Sequence, residues 1–189
     1  MMADRQITQE EINELIEDAS YLQDEAEAMQ YVIDNVPYDE RPPDGRSISE
    51  MLLLIDHAQL SYYRPILEKA VENKRPTHLE NFTHYRESFE PDEEKLKDVQ
   101  KILKKLAKHR AGLVNSIDNI PLIDWETVVY RNDQKVMLYD FMQEMIRFER
   151  GILRDIAQQV KVYNQEKERM REIEQRRSQR ENQQPTENS

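Results

Sequence analysis

Between Ile12 and Val36 the residues Ile12, Leu15, Ala19, Leu22, Ala26, Met29, Ile33 and Val36 recur at alternating spacings of three and four. That period belongs to a helix with a single apolar stripe, and a stripe this long stays dry only against other long helices. A helical bundle is therefore the expected architecture. Thr8 followed by Glu11 forms the pattern of a capping box that opens this helix. Pro37, Pro42, Pro43 and Gly45 end it, since proline cannot continue the hydrogen-bond ladder.

Three further helices are predicted. Ser47 and Glu50 make a second capping box ahead of EMLLLIDHAQLSYYRPILEKAVEN, apolar nearly all round from Met51 to Ile55, with a kink expected at Pro65. Residues 74 to 91 have no sustained period and read as a long loop. A third helix is expected from Pro91, with the stripe Leu96, Val99, Leu103, Leu106, Leu113 and Ile117. Thr127–Tyr130 and Lys135–Met137 flank a turn-rich RND and can close a short hairpin. The fourth helix runs from about 138 into the 170s, with Leu138, Phe141, Met145, Phe148, Ile152, Ile156, Val160 and Tyr163 on one side. Its outer part is a charged helical extension. The expected organisation is all-α: one four-helix bundle domain over 1–178 and a disordered polar tail over 179–189.

With only 3 Gly in 189 residues, composition favours long helices over turn-rich sheets. No Cys is present, which excludes disulfides, thiolate nucleophiles and cysteine metal sites. No stretch is apolar enough to span a bilayer and the N-terminus lacks a signal-peptide centre, so a soluble cytoplasmic protein with no membrane partner is expected. Residues 1–40 hold twelve acidic side chains against one Arg, which accounts for the whole net charge of -11. Such a surface repels phosphate backbones and disfavours nucleic-acid binding. The basic cluster Arg169, Arg171, Arg176, Arg177 and Arg180 is either a solvated helix end or a contact for the acidic first helix in a dimer.

Bundles build sites from inward side chains of facing helices, which singles out His57, one residue past an apolar run. His109 lies beside the third stripe, while His78 and His84 fall in the long loop. Tyr62 and Tyr63 can line a pocket around Pro65 or belong to the core. There is no G-x-S-x-G motif and no Gly-rich phosphate loop.

GRSISEMLLLIDHAQLSYYRPIL resembles the second helix of the DinB-like superfamily, which also contains the YfiT-type hydrolases, and VMLYDFMQEMIRFERGILRDI is similar to its fourth helix. The resemblance covers roughly residues 8 to 160. It implies a four-helix bundle in a mirror variant of up-and-down topology, often a homodimer. It also implies a divalent metal held by three histidines, whose positions fall on His57, Phe148 and Ile152. Residues four apart share a helix face, but Phe148 and Ile152 have no lone pair to offer, so the triad is degenerate. Glu149 is expected to point about 100 degrees away from Phe148.

Two principal readings follow. In the first the chain is a DinB-like binding or structural module with no metal or other cofactor. A small apolar ligand or protein partner would then use a pocket around His57, Tyr62, Met145, Phe148, Glu149 and Ile152. In the second it is a thiol-linked transferase or hydrolase whose zinc or nickel is held by rearranged ligands such as His57, His109 and Glu144 or Glu149. A third idea is an interaction scaffold using the acidic first helix. Gly151, inside the fourth helix, is expected to let a neighbouring helix or dimer partner approach closely.

Overall fold

The computed structural model describes residues 5–183, which are mostly helical. Helix α1, Gln9–Met29, opens on the capping box: the Glu11 N–H donates to Thr8 Oγ1 at 3.2 Å and the Thr8 N–H donates to Glu11 at 2.9 Å. Its buried stripe is Ile12, Leu15, Ala19, Leu22 and Ala26. The helix stops seven residues short of the expected end at Val36. Ile33 and Val36 are buried nonetheless, carried by a 3₁₀ turn over Ile33–Asn35 that leaves Tyr31 88 % exposed and Val32 59 % exposed.

The second predicted helix is divided. Helix α2, Ile48–Ala58, passes through a π-helical turn over Gln59–Tyr63 into α3, Arg64–Asn73. Pro65 has no N–H for the Ser61 carbonyl and crowds it, and the wider turn ahead of it relieves both problems. The expected kink is thus an inserted turn.

The segment expected to be a long loop carries strand β1, Thr77–His78, and a short helix α4, Tyr85–Ser88. The third helix is also broken. A single turn α5, Glu93–Leu96, precedes α6, Val99–Asp118. Asp98 stands between them in a non-helical conformation and accepts the Lys101 N–H at 3.0 Å, so it acts as an N-cap and restarts the ladder.

Strands β2, Val128–Arg131, and β3, Gln134–Met137, form the expected antiparallel hairpin, with Asn132 left-handed at the turn. β1 adds to β2 in parallel, pairing Thr77 with Val129 and His78 with Tyr130. The fold is mostly helical, broadly as the all-α expectation has it, with a small three-stranded sheet added. β1 was not legible because its partner lies some fifty residues further along the chain. Helix α7, Leu138–Asn182, starts directly after β3. It continues past the expected boundary at 178, and the remainder of the predicted tail lies outside the described residues.

By packing, the chain falls into one unit through Leu153 and another from Arg154. In the first, α1 and α6 lie along one another and α2 packs on α6. Leu15, Leu54, Ile66, Leu113, Trp125, Phe141 and Met145 belong to one core cluster. The second is the charged outer length of α7, with Met170 exposed. No helix among the described residues is long and apolar enough to cross a membrane. A methyl group at Gly151 would meet nothing within 4 Å, so the close approach expected there is not made among the described residues.

Candidate functional site

His57 sits on α2 with both ring nitrogens engaged by hydroxyls. Nε2 lies 2.9 Å from Ser88 Oγ at the end of α4, and Nδ1 lies 3.2 Å from Ser61 Oγ in the π turn. Its ring centroid is 5.6 Å from that of Phe89. Phe148 on α7 faces the same short segment from its own side: its ring is 4.9 Å from Tyr85, and the Arg86 guanidinium is 5.9 Å from its centroid. Phe148 and Ile152 are partly buried and pack against the core cluster.

Tyr62 and Met145, also expected in a pocket, are core residues. Tyr62 is ringed by Tyr63, His84, Tyr85 and Phe141 at centroid distances of 5.0 to 5.8 Å. Burial pushes the phenols of Tyr62 and Tyr63 upward, so both stay neutral.

His84 caps α4, its Nδ1 accepting the Arg86 N–H at 3.3 Å. Burial and the nearby Arg86 charge hold its imidazole below the usual 6.5. A depressed histidine favours the neutral native state. Its contribution to stability is therefore complete above 6.5 and is lost as pH falls from there through the folded value. Urea midpoints should decline between about pH 7 and pH 5. His84→Asn, which keeps a capping acceptor, should flatten that slope; an unchanged slope would assign the titration elsewhere.

The most extended polar feature of the core is a chain of side chains that begins at Glu149. Glu149 is 3 % exposed and Arg110 is fully buried. Arg110 grips Glu149 with two guanidinium nitrogens, one of them at 3.0 Å, and donates to Gln59 Oε1 at 3.0 Å and to the Ala19 carbonyl at 3.2 Å. Gln59 donates to Asp56 at 2.7 Å, and Asp56 accepts His109 Nδ1 at 2.9 and 3.0 Å. The path Glu149–Arg110–Gln59–Asp56–His109 thus joins α7, α6, the π turn and α2. Burial raises the Glu149 carboxyl above its usual range, and the Arg110 charge offsets only part of that rise.

Glu149, expected about 100 degrees around the helix from Phe148 and in a possible pocket, is buried in the core. In the first unit α7 buries Leu138, Tyr139, Phe141, Met142, Met145, Ile146 and Glu149, while Phe148 is only partly buried. The other ligands of the rearranged set have other partners: His109 is held by Asp56 and Glu144 is gripped by Arg131 at 2.5 and 3.2 Å. The loop residue His78 stacks on Tyr130 at 5.0 Å. Among the described residues no three His, Asp or Glu side chains gather as a metal site would require. One imidazole, with both nitrogens hydrogen-bonded and two apolar companions, does not fit a zinc or nickel ion.

Compared with protein-family models, curated proteins and solved structures, the chain matches none.

Arg110, Gln59 and Asp56 are the residues that sequence reasoning passed over. A signal for one existed: Arg110 stands four after Leu106 and three before Leu113, on an apolar stripe where a charge needs a buried partner. Glu149 carries the matching anomaly.

Proposed function

We propose that this chain is a metal-free binding or structural module of the DinB-like kind, with a homodimer and a small apolar or protein ligand as its expected associations. The observation that supports this reading is the environment of His57, whose two nitrogens are taken up by Ser61 and Ser88. At the matching position on α7, Phe148 spends its ring on Tyr85. In place of a metal tie between helices, the buried Arg110–Glu149 pair with Gln59 cross-links α6, α7 and the π turn.

Protein purified without an affinity resin should carry far less than one zinc or nickel per chain by elemental analysis. His57→Ala should leave that content unchanged and lower stability by about 1 kcal/mol, the net worth of an ordinary hydrogen bond. Stoichiometric metal that disappears in His57→Ala would overturn the reading.

A further inference from the structure

A cleft of about 490 Å³, whose lining does not include His57, lies between α2 with its π turn on one side and α5 and α6 on the other. Its volume lies in the range that takes a small organic ligand, roughly 300 to 1,000 Å³. Leu53, Leu60 and Ile102 give it an apolar wall, and Leu60 is 37 % exposed there. Lys101, Lys105 and His109 follow one another at intervals of four along α6, so they form a row on one helix face.

The charges along this row are unequally matched. His109 faces the Asp56 carboxylate. Asp98, Glu94 and Lys95 also line the cleft: Asp98 accepts the Lys101 N–H as the cap of α6, and Glu94 lies 3.8 Å from Lys97. Lys101 and Lys105 have no carboxylate within ion-pair distance among the described residues. Two free ammonium groups beside an apolar wall are complementary to one anionic head on an apolar body. They do not suit a polyphosphate, which needs denser positive charge than two lysines supply.

We infer that this cleft binds an amphipathic monocarboxylate, its carboxylate against Lys101 and Lys105 and its hydrocarbon on Leu53, Leu60 and Ile102. Asp56 fixes His109 through Nδ1, which orients the imidazole at the end of the lysine row. Asp56 is in turn held by Gln59, so the buried network sets one wall of the cleft. The site is separate from the His57 reading: a metal found at His57 would leave it standing, and an empty cleft would leave the metal-free module standing.

The test is titration of the 189-residue chain with decanoate, followed by calorimetry and by amide chemical shifts. Saturable one-to-one binding is expected, with shifts at Leu60, Ile102 and His109. Lys101→Glu with Lys105→Glu should weaken it about tenfold or more, and decanol should bind less tightly than decanoate. Both lysines are exposed, and unchanged tryptophan emission would show that the variant is folded. Should the reversal disturb folding, the pair Lys101→Ala and Lys105→Ala must still weaken binding. Absence of saturable shifts around the cleft, decanol binding as well as decanoate, or binding indifferent to both lysine pairs would each overturn the assignment.

Discussion

Arg110→Met should lower the unfolding free energy by about 3–5 kcal/mol, because it strands the Glu149 carboxylate inside the core. Glu149 is 3 % exposed, so water cannot take over from the guanidinium without opening the core around it. Glu149→Leu alone should be comparably damaging, since it leaves the fully buried Arg110 with only Gln59 and the Ala19 carbonyl as acceptors. The double variant Arg110→Met with Glu149→Leu should be more stable than either single one, because no ion is left behind. It should still fall short of the native chain, as Gln59 Oε1 and the Ala19 carbonyl lose their donor, at about 1–3 kcal/mol for each buried group left unpaired. Urea unfolding followed at Trp125, the single tryptophan and fully buried, reads the whole cycle. If the effects of the two single changes simply add in the double variant, the pair is not energetically coupled.

Phe141→Ala and Phe148→Ala should separate sharply. Phe141 is fully buried, with its ring 5.1 Å from Tyr63 and 5.8 Å from Tyr62, and truncation there should cost about 3–5 kcal/mol through a cavity the aromatic block cannot close. Phe148 is only partly buried, and its truncation should cost about 1–2 kcal/mol, in proportion to the smaller apolar area it removes from water. Equal losses at the two positions would mean that Phe148 anchors the core as the sequence periodicity suggests.

That pair of residues shows how far the sequence could be read. On α1 every apolar position of the stripe through Ala26 is buried, because nothing polar competes with the pattern and the cap marks its start. On α7 the same method chose Phe148 over its neighbour Glu149, since periodicity weighs apolarity and cannot see Arg110 thirty-nine residues earlier supplying the compensating charge. Pro65 announced a disturbance but not its form, which depends on how the ladder redistributes its carbonyls around Ser61. His57 was legible as a distinctive residue from its place beside an apolar run. Its serine partners were not, because Ser88 is brought over by a short helix that the sequence reads as loop. The cleft stayed hidden for a related reason: Lys101 and Lys105 look like ordinary solvated charges until α2 and the π turn are placed across from them.

The parallel pairing of β1 with β2 also bears on the order in which the fold assembles. The hairpin of β2 and β3 involves only neighbours along the chain and can close within microseconds. Thr77 cannot meet Val129 until the intervening chain, with all of α6 in it, has been gathered into a closed loop. Closure of that loop carries an entropic cost that only the docked helices can repay, which makes the third strand a late latch on an already assembled helical core rather than a nucleus for it.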